Sequence, residues 1–258
     1  MMKKMLYFIT VISIFSGLFI VPASVSAEIV TMPDAINKAG RQRMLSQRIV
    51  KAYMMMGLDV DYEKAKSQLE GAKALFTEQL QELQSYAPTE KIQMSLNKIN
   101  DIWVEVKSEL TKPHSRKTAK YLLSRNEDLL RASHQVVLMF QDLQGTEQAR
   151  LVNISGRQRM LTQRLTKLYM ARLWGFKGAS INDDLQRAHN EFKGALLELR
   201  QSGQNTSALN DALKKADQQW RLFESGLKKN LNIPLIIARN SEQLLVNMNA
   251  ITDMYAQL

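Results

Sequence analysis

The chain has 258 residues, with 35 Lys and Arg against 25 Asp and Glu, and no cysteine. A formal net charge of +10 suits nucleic acid, anionic lipid or small anions, while the lack of cysteine excludes disulfides, thiolate chemistry and c-type haem. Only 11 glycines and 5 prolines interrupt long stretches of 3.6-residue apolar period, which indicates an all-α protein.

The chain opens with the basic Met1-Met2-Lys3-Lys4, followed by a largely apolar run from Leu6 to Val21. Val25 and Ala27 fit the small-residue pattern of a secretory cleavage site. Residues 1–27 are therefore expected to be a signal peptide, cleaved after Ala27, with export to a bacterial periplasm. The apolar run is short for an uncleaved anchor, since a span needs about 20 residues. No later segment qualifies as a stable membrane span, Ile233 to Ala238 being far too short. Export argues against nucleic acid as a partner. So does the spread of lysines and arginines along helices, with no nucleic-acid motif among them.

Pro33-Asp34 opens a first helix at about 34–57, and Gly57 with Asp59 and Asp61 ends it. A second helix, about 61–86, carries Leu69, Ala72, Phe76, Leu80 and Leu83 on one stripe. Pro88-Thr89-Glu90 starts a third, about 89–111, with Leu96, Ile99, Trp103, Val106 and Leu110 as its stripe, and Pro113 closes it. A fourth, about 116–144, carries Leu122, Leu129, Leu130, Val136, Val137 and Phe140.

The second half repeats this plan. The stretch Ile36 to Met54 returns as Val152 to Met170, and Gly40-Arg41-Gln42-Arg43-Met44-Leu45 is identical to Gly156-Arg157-Gln158-Arg159-Met160-Leu161. The helix-two stripe returns as Leu185, Ala188, Phe192, Leu196 and Leu199, and Trp103 returns as Trp220. So dense a match is an internal duplication of whole four-helix units, 28–145 and 146–258. Short connections make each an up-down-up-down bundle. A turn at Gln144-Gly145-Thr146 would place the two motif helices side by side and parallel, related by a pseudo-two-fold axis. A helix four running unbroken into helix five would put the motifs in distant bundles.

On the motif helix, Leu45, Ile49, Ala52, Tyr53 and Met56 share one face, an ordinary core stripe. Ile36, Gly40, Arg43, Met44, Gln47, Lys51 and Met54 fall roughly opposite. A glycine inside a helix costs about 1 kcal/mol relative to alanine, so Gly40 suggests the close approach of another backbone. This helix is expected to pack on two sides, one of them carrying a guanidinium beside a small residue.

Asn37-Lys38-Ala39-Gly40-x-x-Arg43-Met44 resembles the signature of the periplasmic sensor domain of nitrate/nitrite-sensing histidine kinases. The fuller Ala39-Gly40-Arg41-Gln42-Arg43-Met44-Leu45-Ser46-Gln47-Arg48 resembles more closely the N-terminal domain of type IV pili methyl-accepting chemotaxis transducers, the PilJ-type domain. The resemblance implies a four-helix bundle and, from the nitrate sensors, an anion held between two first helices by the signature arginine of each protomer. Carried over by motif, those arginines are Arg43 and Arg159, here in one chain. The nitrate sensors lack the Arg41-Gln42 pair. Receptors of both families continue into an output domain, whereas this sequence ends directly after its eighth helix. Any signal is expected to pass to a membrane-bound receptor, histidine kinase or cyclase.

Physical chemistry adds its own argument. Two guanidiniums facing each other across a close helix pair repel, and burying them unpaired costs several kcal/mol. An oxyanion between them removes both problems and suits their planar donor forks. Gly40 and Gly156 would let the backbones approach, and Asn37, Asn153, Gln47 and Gln163 could add neutral donors. Alternatively, each arginine pairs with a carboxylate, such as Glu127 or Glu242, or lies in solvent. Arg41, Arg48, Arg157 and Arg164 point away from this stripe and read as surface or inter-helix ion pairs.

Met54-Met55-Met56 reads as core rather than a copper site, because consecutive helical residues face different ways. His114, His134 and His189 lack metal-ligand spacing, and no cofactor is implied. No Ser/His/Asp set, paired carboxylates or glycine-rich phosphate loop stands out, so no enzymatic activity is expected. The competing reading is a helical scaffold of an envelope complex, in which the duplicated stripe is a packing seam with no ligand.

Overall fold

The computed structural model describes residues 29–177, 179–228 and 232–258; the expected signal peptide, 1–27, lies outside the described residues. Among the described residues eight helices follow one another: α1 (Met32–Gly57), α2 (Tyr62–Tyr86), α3 (Glu90–Leu110), α4 (Arg116–Gln144), α5 (Glu147–Leu173), α6 (Ala179–Arg200), α7 (Ser207–Lys228) and α8 (Pro234–Ala256). The chain is all-α, and there is no strand among the described residues. No helix among them is long and apolar enough to cross a membrane.

The helix ends have local causes. Thr31, Thr89, Ser115 and Thr146 each accept a hydrogen bond from the backbone N–H three residues on, capping α1, α3, α4 and α5. Gly145 stops α4. It sits at φ 63°, where a side chain would be strained, and its N–H returns to the Gln141 carbonyl at 2.8 Å. Thr146 then starts α5 at once, so helix four breaks and the chain reverses.

That reversal sets the architecture. In the first half α1 packs on α2 and α4, with α3 closing against α4 and α2; in the second, α5 packs on α6 and α8, with α7 closing against α8 and α6. The most extensive packing in the molecule is between α1 and α5. The two run parallel: Arg43 meets Asn153 and Arg159 meets Asn37 near one end, while Gly57 of α1 lies against Trp174 after α5 at the other. The motif helices are therefore central. Eighteen of 26 residues are buried in α1 and 20 of 27 in α5, against 7 of 25 in α2.

Outer stripes form the apolar core of each half. Leu69, Ala72, Phe76, Leu80 and Leu83 are buried, as are Ala188, Phe192, Leu196 and Leu199. Trp103 is fully buried against Phe76, with its indole N–H donating to Thr77 at 3.0 Å, and Trp220 stacks on Phe192 at 4.1 Å. Met54 and Met55 are buried in the core.

The seam between α1 and α5 is different in kind. It buries Arg43, Ser46, Gln47 and Lys51 of one helix with Arg159, Thr162, Gln163 and Lys167 of the other, while the buried Gln42 turns to the Phe76 carbonyl of α2 at 3.3 Å. At its far end Tyr53 stacks on His114 at 4.1 Å, His114 stacks on Trp174 at 5.4 Å, and the Trp174 ring covers Gly57. A Cβ on Gly57 would overlap that indole. Gly57→Ala should therefore destabilise the protein by about 1–3 kcal/mol through overpacking, despite alanine's better helix propensity. An unfolding temperature equal to or above the parent's would refute this packing.

Candidate functional site

Arg43 and Arg159 are both fully buried, and both point into the α1–α5 seam. Each lays its guanidinium on the other helix. Arg43 Nη2 donates to the Asn153 carbonyl at 3.3 Å, and Arg159 Nη2 to the Asn37 carbonyl at 3.1 Å. The missing side chains of Gly40 and Gly156 make this approach possible. A Cβ on Gly40 would lie 3.3 Å from Nη2 of both arginines, and one on Gly156 would lie 3.1 Å from Arg159 Nη2 and 3.6 Å from Arg43 Nη2. Both guanidiniums thus converge on one pair of glycines.

The remaining contacts are sparse. Arg43 Nη1 lies 3.1 Å from His134 Nδ1, and Arg159 Nη1 lies 3.5 Å from Asn249 Oδ1. Nε of each arginine is buried without a partner. Neither guanidinium meets a carboxylate among the described residues. Burial lowers the pKa of Arg43 to about 9, helped by repulsion from Arg157 and Arg159. Burial likewise lowers Arg159 to about 9, with Arg41 adding repulsion and Asp253 opposing it. Both stay charged at neutral pH, so the seam holds two positive charges whose counterions are not supplied by direct contact.

The carboxylates considered above as their partners serve other cations. Glu242 of α8 takes Arg48 and Lys51 of α1, and Glu127 of α4 takes Arg164 and Lys167 of α5. Arg48 and Arg164 are therefore inter-helix ion pairs. These pairs also cross between the halves in both directions, stitching each motif helix to the fourth helix of the other half.

The neutral side chains of the motif sit nearby with their amides turned elsewhere. Asn37 Nδ2 donates to Asp253 at 2.8 Å and Asn153 Nδ2 to Gln141 at 2.6 Å, so it is their carbonyls that meet the arginines. Gln47 Nε2 reaches Ser46 and Gln163 Nε2 reaches Ser241, each at 3.3 Å, while both Oε1 atoms are buried without a partner.

A family model described as type IV pili methyl-accepting chemotaxis transducer N-term, PilJ, matches residues 28–128 and again residues 144–246. The chain belongs to the PilJ family. Comparisons with curated proteins and with solved structures returned no match. Each PilJ match contains one signature arginine with its glycine, so the two copies meet at the seam. The family is one of sensory, signal-transducing domains.

His134 and Asn249 lie beyond the two PilJ matches, and sequence reasoning missed their contacts with the arginines. A signal existed. They stand 115 positions apart, as do Glu127 and Glu242, so they occupy equivalent places on α4 and α8. His134 attracts notice in the sequence only as a metal ligand, a role its spacing does not support.

Proposed function

We propose that this chain is a periplasmic sensory protein that binds a small, nitrate-like oxyanion between Arg43 and Arg159, within two PilJ-type units, 28–145 and 146–258. One observation carries the reading: two fully buried guanidiniums converge on Gly40 and Gly156, with no carboxylate on either among the described residues. A planar oxyanion would offer acceptors to both donor forks and relieve their repulsion. Asn37, Asn153, Gln47 and Gln163 shape the walls around it. Occupancy would favour one arrangement of α1 against α5, and a membrane-bound receptor, histidine kinase or cyclase would read that arrangement in trans.

The test is thermal unfolding with nitrate, nitrite, sulfate and small carboxylates. A ligand at about 100 times its Kd adds roughly 2.7 kcal/mol of stability. A shift with none of these anions would favour a ligand-free scaffold. Gly156→Ala separates stability from binding. Alanine gains about 1 kcal/mol of helix propensity, while its Cβ crowds the Arg159 guanidinium at 3.1 Å. Its unliganded unfolding temperature should match or exceed the parent's, while the anion-induced shift shrinks. An undiminished shift would mean that the anion sits elsewhere.

A further inference from the structure

The two arginines share a site but not a neighbour. Arg43 Nη1 lies against the ring nitrogen of a histidine, whereas Arg159 Nη1 lies against the amide oxygen of an asparagine at the equivalent place. The approaches to the site differ too. Between α4, α5 and α6 runs a groove of about 420 Å³ whose lining includes Arg43 and His134 together with Arg157. The corresponding groove between α1, α2 and α8 is lined by Asn249 and Asp253 but not by Arg159. Arg43 and His134 are therefore open to an anion coming from solvent, in a groove that also holds Glu127, Asp184 and Glu191, whereas the groove on the other side does not reach Arg159.

Without an anion, His134 has to be neutral to serve Arg43, because its Nδ1 can accept from a guanidinium only while unprotonated. A proton there would add a third positive charge. Burial, with Arg43 and Arg157 adding to it, pushes the His134 pKa down to about 4. The charged groups around the ring are Arg43 of α1 and Arg157 of α5. Farther along the groove are Arg164 of α5, Asp184, Arg187 and Glu191 of α6, and Glu127 and Arg131 of α4 itself. Glu127 is held by Arg164 and Lys167, and Asp184 by Arg164 and Arg187. The imidazole's hydrogen-bond partner is Arg43. An anion between the arginines would cancel the repulsion from Arg43 and Arg157 and give a protonated ring the partner that offsets its burial.

We infer that His134 is a third contact of the bound anion, and that the anion enters through the groove between α4, α5 and α6 together with one proton, carried on His134 Nδ1. This rests on the anion site proposed above. The proton comes from solvent. It turns Nδ1 from acceptor to donor toward the anion and frees Arg43 Nη1 to donate there as well. Asn249 cannot change charge, so the coupling is one proton per site rather than two.

Nitrate is the probe, because it stays an anion throughout the range. Calorimetric titration in buffers of different ionisation heat counts the protons taken up. Nitrate should bind at least about threefold more tightly near pH 5.5 than near pH 7.5, with measurable proton uptake. His134→Asn, which copies Asn249, should bind nitrate with no proton uptake and equally at both pH values; His134→Gln serves as a second such variant. Nitrate binding to the parent without proton uptake, or an unchanged pH dependence in both variants, overturns the role of His134 and leaves the arginine site standing. Failure of the parent to bind nitrate at either pH overturns this inference, and overturns the anion site as well when nitrite, sulfate and the small carboxylates also fail to shift its unfolding.

Discussion

Replacing Arg43 or Arg159 by methionine should abolish the anion-induced rise in unfolding temperature and, in the same experiment, make the unliganded protein more stable. The parent's rise is the roughly 2.7 kcal/mol of a saturating ligand. The gain in the unliganded variant has a separate origin. Each arginine is fully buried, repelled by other guanidiniums and satisfied by only two hydrogen bonds. Exchanging such a charge for an apolar side chain of similar length can be neutral or stabilising by about 1–4 kcal/mol. Opposite signs with and without ligand are the mark of a binding site kept at the expense of stability. A structural arginine would give the reverse: an unliganded variant several degrees less stable and no anion effect in the parent.

The largest loss of stability should come from Glu127→Ala and Glu242→Ala. Glu242→Ala strands the fully buried Lys51, Glu127→Ala leaves the fully buried Lys167 with only the Asn126 amide oxygen, and each removes a bidentate or bridging partner from Arg48 or Arg164. Breaking a buried pair from one side costs about 3–5 kcal/mol. Partial exposure of both carboxylates places these two at the lower end. At about 2–4 °C per kcal/mol for a chain of this size, each variant should unfold on the order of ten degrees below the parent. A loss under about 1 kcal/mol, the worth of an exposed pair, would show the lysines to be hydrated.

The same pairs set a pH dependence. Burial raises the pKa of Glu127 and Glu242, but the flanking cations outweigh it and hold both carboxyls below their ordinary value. Stability from this source is present above the ordinary carboxylate pKa and disappears as pH falls through the lowered one. Acid unfolding of the parent should thus be steeper than that of the double alanine variant. Burial brings Lys51 and Lys167 down to about 8, their carboxylates opposing it, so both remain charged at neutral pH.

Much of this architecture was legible in the chain because its boundaries are chemically marked. Pro33, Gly57, Pro113 and Gly145 each stand within three residues of a helix end, and the duplicated stripes bury most of the residues they predict, Leu110, Leu130 and Leu185 being only partly covered. The two-sided packing of the motif helix followed from a glycine opposite a core stripe. Pairing between helices was not legible. Glu127 and Glu242 sit on the faces that meet the motif helices, but periodicity does not fix the axial offset between two helices. That offset, about one turn, decides whether a carboxylate meets Arg43 or Arg48. The same offset hides His134 and Asn249. Nor does the face on which Asn37 and Asn153 lie reveal that their carbonyls, rather than their amides, meet the guanidiniums.

The reversal at Gly145 has a consequence for how such a protein can signal. Two sensor units on separate chains associate by mass action, and dilution takes their shared site apart. Here the two-residue connection between α4 and α5 holds the two halves, and with them α1 and α5, at an effective concentration of about millimolar or above, so the pair is assembled at any expression level. Affinity for the proposed anion would then carry no cost of subunit encounter. Abundance of the protein sets how many sensors there are, not what fraction of them is competent.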